Sequence, residues 1–200
     1  MIDFESFFKD GSLEKGSFLS RVFGIFSEEI IRIWARDENS PYKIHSCRPT
    51  LYNQDKRYTL DFLLIKDGRS YVSEMKCEIQ YRNYQFWRLE SPDQLKHHLG
   101  KAAFELFLKL SSDPCSVRVK AGDNVDISGT ILVWGSASKN GIENTKEFYS
   151  FSDILTIEDC VADLINWENS EYRKFLNERE FWTSSFFNLL QGKNTGYCSR

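Results

Sequence analysis

The segment RYTLDFLLIKDGRSYVSEMKC, residues 57–77, constrains the fold more than any other stretch of this chain. Two β-rich runs flank Asp67-Gly68, the dipeptide that suits a two-residue type I′ turn, so the segment reads as a β-hairpin. A two-residue turn fixes the register. With Lys66 facing Arg69, each step away from the turn pairs residues whose numbers have the same sum, and Asp61 falls opposite Glu74. Lys76 lies on the same face, one pleat further on. Cross-strand neighbours have Cβ atoms roughly 4.5–5.5 Å apart, where like charges repel. Two carboxylates held that close need a compensating charge. A divalent cation supplies it, because Mg²⁺ or Mn²⁺ takes hard oxygen ligands from two carboxylates and keeps water positions open for a substrate phosphate. Lys76, beside them, can orient or deprotonate a water or steady a pentavalent phosphorane. These residue types suit metal-assisted phosphodiester hydrolysis.

The hairpin sits among elements that the apolar spacing defines. Residues 17–41, SFLSRVFGIFSEEIIRIWARDENSP, carry Leu19, Val22, Phe23, Phe26, Ile30, Ile33 and Trp34 at helical spacing, and Asn39, Ser40 and Pro41 end the pattern. At about 100° per residue, Glu29 falls within the stripe of Val22, Phe26 and Ile33 while Glu28 points away. A carboxylate on a buried face is costly unless paired or metal-bound, so Glu29 is the outer candidate ligand; a hydrated or Arg-paired helix-edge position is the alternative. Residues 42–56 are polar and irregular, with room for one strand. SPDQLKHHLGKAAFELFLKL reads as one helix from Ser91, with Ser91 as N-cap, Pro92 at the first helical position and the stripe Leu95, Leu99, Ala102, Leu106, Leu110. GTILVWG is a short apolar strand covered on both faces. Strand, helix, strand implies a right-handed crossover. Helical patterning returns from Thr156 to Leu190, with Tyr172, Phe175, Leu176, Trp182 and Phe186 as its apolar positions.

The 200 residues are 41% hydrophobic and 15% aromatic, enough for one well-buried domain and short for two. The expectation is a single domain over 1–200, with a core at about 18–135 and a C-terminal helical extension at about 151–192. The net charge of −3 gives no overall pull toward polyanions, so a nucleic-acid site must be a local basic patch. The odd set of five cysteines has no C-x-x-C pair or zinc-type spacing, and His45, His97 and His98 lack zinc spacing too. Those features, with an acidic first segment and no apolar run of membrane-spanning length, predict an unexported cytoplasmic protein.

In order, the helix glutamate, TLDF with Asp61, SEMK with Glu74-x-Lys76, then helix and strand, resemble the PD-(D/E)xK nuclease superfamily over roughly residues 18–135. The resemblance implies an α/β, restriction-endonuclease-like αβββαβ core: a mixed central sheet flanked by helices. It implies Asp61 and Glu74 as ligands of Mg²⁺ or Mn²⁺, the carbonyl of Met75 as a further ligand, Lys76 as the water-activating or charge-stabilising residue, and Glu29 as the accessory helix acid. Thr59-Leu60-Asp61 lacks the proline that names the motif. Gln94 and His98 resemble the helix Gln-x-x-x-Tyr element of the RecB-like branch, with His for Tyr; Ser91-x-x-Gln94 equally reads as a capping box.

For substrate, QYRNYQFWRLESP interleaves Tyr81, Tyr84, Phe86 and Trp87 with Arg82 and Arg88, a mixture that stacks bases and neutralises phosphates. The competing reading packs those aromatics into the core. Lys43, Arg48, Lys56 and Arg57 would line the other wall of a phosphate groove, or stand as scattered surface charges. The expected activity is Mg²⁺- or Mn²⁺-dependent hydrolysis of DNA, with nucleic acid as partner, no membrane, and homodimerisation left open. Two rivals accompany it: a non-catalytic nucleic-acid-binding or assembly module on the same fold, and a helical interaction protein presenting Tyr172 to Leu190.

Overall fold

A computed structural model describes residues 13–77 and 88–193, with side chains from residue 18 onward. Helix α1 spans Leu13–Arg36, followed by β1 (Lys43–Ile44), β2 (Thr50–Asn53), β3 (Lys56–Thr59), β4 (Phe62–Lys66) and β5 (Arg69–Met75). Then come β6 (Arg88–Leu89), a 3₁₀ helix at Pro92–His98, α2 (Ala102–Ser112), β7 (Arg118–Ala121), β8 (Asp123–Asn124), β9 (Ile127–Trp134) and β10 (Ser136–Ala137). The last elements are α3 (Lys139–Tyr149), β11 (Asp153–Thr156), α4 (Ile157–Asn166) and α5 (Ser170–Leu190).

The central sheet is mixed, in the order β1-β4-β5-β9-β11. β1, β4 and β5 pair antiparallel, whereas β9 runs parallel to both β5 and β11. The β4–β5 ladder runs from Lys66↔Arg69 to Phe62↔Ser73, the register that the turn dipeptide dictates. Asp67 and Gly68 take φ of 52° and 72°, as a type I′ turn requires at both central positions.

Alternation along the strands feeds two cores. Leu63, Val72, Leu132 and Trp134 point to one face and pack with Phe104, Phe107 and Leu110 of α2. Phe62, Leu64, Ile131 and Val133 point to the other, against Ile30, Ile31 and Trp34 of α1, Val161 of α4, and Tyr172 and Phe175 of α5. Helices thus cover both sheet faces. A smaller antiparallel sheet, β3-β2-β7-β8, closes over the first core through Leu51 and Val119.

Several expectations are corrected. The helix expected to run unbroken from Ser91 is two pieces: the 3₁₀ turn ends at His98, and Gly100 at φ 84° separates it from α2. Such a positive φ suits glycine and interrupts a right-handed helix. Residues 42–56 hold β1 and β2 and enter β3, rather than forming one strand. The segment read as a C-terminal helical extension opens with β11, the fifth strand of the central sheet, whose parallel pairing with β9 extends the sheet beyond residue 135. Helix α3, with little apolar patterning, was not legible. Among the described residues, no helix is long and apolar enough to cross a membrane.

Candidate functional site

Glu74 occupies the second-last position of β5, beside Leu132 of β9, and therefore faces the α2 side of the sheet. It is only 7% exposed. Asp61 stands one residue before β4, at the position the ladder would pair with Glu74. Its Oδ2 accepts a hydrogen bond from the Met75 backbone N–H at 2.8 Å. The Asp61 carboxylate lies close enough to Glu74 for its charge to act on the Glu74 carboxyl. Lys76 continues the β5–β9 ladder through its N–H to the Val133 carbonyl at 2.9 Å, and its Nζ donates to Glu74 Oε1. That ammonium lies 5.7 Å from the centre of the Phe104 ring in α2.

Burial is the main cause that raises the Glu74 carboxyl, to about 7, and the neighbouring Asp61 charge adds to it. Lys76 pulls in the opposite direction and does not cancel the shift. A buried carboxyl beside another carboxylate is relieved either by a proton or by a second cation. The donor set therefore fits a hard divalent cation, which needs no more than one or two protein carboxylates when water and phosphate complete its shell. Among the described residues, no three His, Cys, Asp or Glu side chains gather as a metal cluster. The site is a carboxylate pair with a lysine.

Glu29 does not join the pair. It is half-buried, and among the described residues its carboxylate makes no hydrogen bond or ion pair. Glu28, which was expected to point away, is the helix acid that connects to the site: Arg48 Nη2 lies 2.8 Å from Glu28 Oε2 and 3.4 Å from Asp61 Oδ1. The Arg48 Nε–H also reaches the Asp61 carbonyl at 3.3 Å. The physical reason is the layer arrangement. Because α1 packs on the face opposite Glu74, a helix carboxylate approaches only around the sheet edge, and Arg48 spans that gap. The α1 stripe is centred on Ser27, Ile30, Ile31 and Trp34, not on the direction set by Val22 and Phe26. No one-dimensional signal reveals the Arg48 bridge, since it depends on where the chain before β2 lies.

The remaining predicted residues are dispersed. Gln94 serves the cap: its Oε1 accepts from the backbone N–H groups of Glu90 and Ser91 at 2.6 and 3.0 Å, and its Nε2 donates to the Arg88 carbonyl at 2.9 Å. Arg88 forms a surface ion pair with Glu90 at 2.8 Å. His98 is buried against Phe104, with ring centres 5.3 Å apart. Tyr81, Arg82, Tyr84, Phe86 and Trp87 lie outside the described residues. Cys77 follows Lys76, and desolvation, with the nearby Asp61 charge, pushes its thiol well above the usual range, which disfavours the thiolate.

No family model matches the chain, and no solved structure matches it. The chain is similar to a protein of Eremothecium gossypii named Poly(A) RNA polymerase protein 1, at 32% identity over 120 residues. That alignment covers 54% of this chain and 19% of the relative, so the match spans about a fifth of the relative's length.

Proposed function

We propose that this chain is a restriction-endonuclease-like, metal-dependent nuclease that hydrolyses phosphodiester bonds in DNA. One observation carries the reading: Asp61, just before β4, and the buried Glu74 of β5 come together as a carboxyl pair, with Lys76 bonded to Glu74. The order α1, antiparallel β1, β4 and β5, α2, then β9 parallel to β5 supports the αβββαβ core. Asp61 and Glu74 would hold Mg²⁺ or Mn²⁺, with the Met75 carbonyl a further ligand by resemblance. The cation would supply charge neutralisation on the phosphate and an acidified water.

The chain's own residues do the rest. Hydrolysis forms a bond from water oxygen to phosphorus and breaks a P–O ester bond, with the water's proton removed and the departing oxygen protonated. Lys76, held by Glu74, presents positive charge where the phosphorane becomes most negative. Arg48 holds the Oδ1 side of Asp61 from the outer side. The Met75 N–H holds the other oxygen.

The non-catalytic module remains the second reading, because Arg48 and Lys76 already provide each carboxylate with a cation. The name of the Eremothecium gossypii relative refers to RNA, which favours a nucleic-acid partner without choosing DNA.

The test is incubation of the purified protein with closed circular DNA, linear DNA and RNA, each with Mg²⁺, Mn²⁺ or EDTA. Metal-dependent cleavage of DNA is expected, falling about 10²-fold or more in Asp61→Ala, Glu74→Ala and Lys76→Ala. The three losses should be far from additive, as for groups acting as a unit. Absence of cleavage with either metal, or equal rates in wild type and variants, contradicts the reading.

A further inference from the structure

The outer face of the small sheet combines basic and aromatic side chains with no acid among them. Strand β2 lies between β3 and β7, with Tyr52 opposite Arg57 on one side and Arg118 on the other. Thr50 likewise faces Thr59 and Lys120. Leu51 and Val119 point inward and are buried, so strand alternation sends Thr50, Tyr52, Arg57, Thr59, Arg118 and Lys120 outward together.

Three cations surround one ring. The Arg57 and Arg118 guanidinium carbons and Lys120 Nζ lie 5.6, 5.7 and 5.8 Å from the Tyr52 ring centre. Among the described residues, none of these cations is ion-paired with a carboxylate; Arg118 Nε donates to Asn124 Oδ1 at 3.1 Å. Asp55 in the β2–β3 turn and Asp123 in β8 lie on the neighbouring backbone without bridging to them. Three like charges around a ring repel one another, and a chain of net charge −3 does not need them there for solubility. Anions arriving in series would relieve that repulsion.

The face also leads to the carboxylate pair. Arg48 precedes Thr50 by two residues, Asp61 follows Thr59 by two, and the Leu60 N–H to Pro49 carbonyl bond at 2.9 Å extends the β2–β3 pairing toward them. Arg48 lies four positions before Tyr52, about 13 Å along an extended chain, which is the span of a few nucleotides.

From this placement we infer that the outer face of β3-β2-β7-β8 binds single-stranded nucleic acid and leads the strand toward Asp61 and Glu74. Arg57, Arg118 and Lys120 take successive phosphates. An unpaired base stacks on Tyr52 or on the guanidinium planes above it. A duplex hides its base faces, so the aromatic centre is specific to single strands. The inference rests on the nucleic-acid part of the reading above and not on hydrolysis.

The experiment is fluorescence anisotropy of a labelled single-stranded oligonucleotide of about 20 nucleotides, in EDTA, across a salt series, using the full chain. Arg57→Ala with Lys120→Ala should flatten the slope of log affinity against log salt by about 1.4, near 0.7 for each lost contact. Tyr52→Ala should weaken binding roughly 5- to 100-fold with a smaller change in slope, and Tyr52→Phe should restore it. Melting curves taken alongside identify any variant that fails to fold, and Arg118→Ala then supplies an independent loss of charge. An unchanged slope in the double variant overturns the inference. So does polyglutamate competing as well as unlabelled oligonucleotide, or duplex binding that is tighter and insensitive to Tyr52→Ala. Because EDTA prevents metal-dependent cleavage, a protein that binds in this way but hydrolyses nothing loses the nuclease reading and retains this one.

Discussion

Glu74 is a carboxyl that the fold keeps out of water next to another carboxylate, and this has a measurable consequence for stability. Its native pKa is raised to about 7 from 4.5. Between those values the native state holds a proton that the unfolded chain has released, so stability falls as pH rises from about 4.5 to about 7 and levels off above. Glu74→Gln removes the titration. In EDTA the variant should be more stable than wild type at pH 8 by about 1–3 kcal/mol, or roughly 3–10 °C in Tm for a chain of this size. At pH 4.5 the two should melt within about 1–2 °C of each other. Thermal melts across pH 4.5–8 check this, and parallel curves for wild type and variant would mean that Glu74 is not strained. Arg48 acts at the same scale but from an exposed position. Its ion pairs with Glu28 and Asp61 should contribute at most about 1 kcal/mol to stability, so Arg48→Ala should affect metal response and activity more than Tm.

The hairpin shows which elements can be read from a sequence. A two-residue turn makes β register arithmetic: once Asp67 and Gly68 are the turn, the positions of Asp61, Glu74 and Lys76 follow without tertiary information. That part of the site was legible. Gly68→Ala tests the element itself. An alanine Cβ there would meet nothing within 4 Å, so only the φ of 72° penalises it, by about 1 kcal/mol. The expected Tm loss of roughly 2–4 °C should be the same in EDTA and in Mn²⁺, because the turn is at the opposite end of the hairpin from the carboxylates. Helix faces were less legible. Steps of about 100° leave Glu28 and Glu29 separable only if the centre of the buried stripe is known, and that centre depends on how α1 meets α4 and α5. The break at Gly100 was hidden by an apolar stripe that continues across it. The outer face of the small sheet was hidden because its basic residues come from strands more than 60 positions apart in sequence.

For the whole molecule, charge distribution matters more than net charge. A chain at −3 gathers around Tyr52 three cations that, among the described residues, pair with no carboxylate, and sets Asp61 beside Glu74, an arrangement that would draw a polyanion across the small sheet and hold a cation where it arrives. The distal half of α5 differs, with Phe181, Trp182, Phe186 and Leu190 exposed after the buried Tyr172 and Phe175 anchor the helix. Asp61 and Glu74 are proposed to form a divalent-cation site. Melting wild type, Asp61→Asn and Glu74→Gln in EDTA and in Mn²⁺, at one ionic strength and pH 8, measures that binding. A ligand that binds only the native state stabilises by RT ln(1 + [L]/Kd), about 2.7 kcal/mol at a hundredfold excess over Kd. Wild type should therefore gain roughly 5–10 °C with Mn²⁺, and each variant should gain much less. An equal gain in all three proteins, or none in wild type, would mean that the carboxyl pair holds no divalent cation.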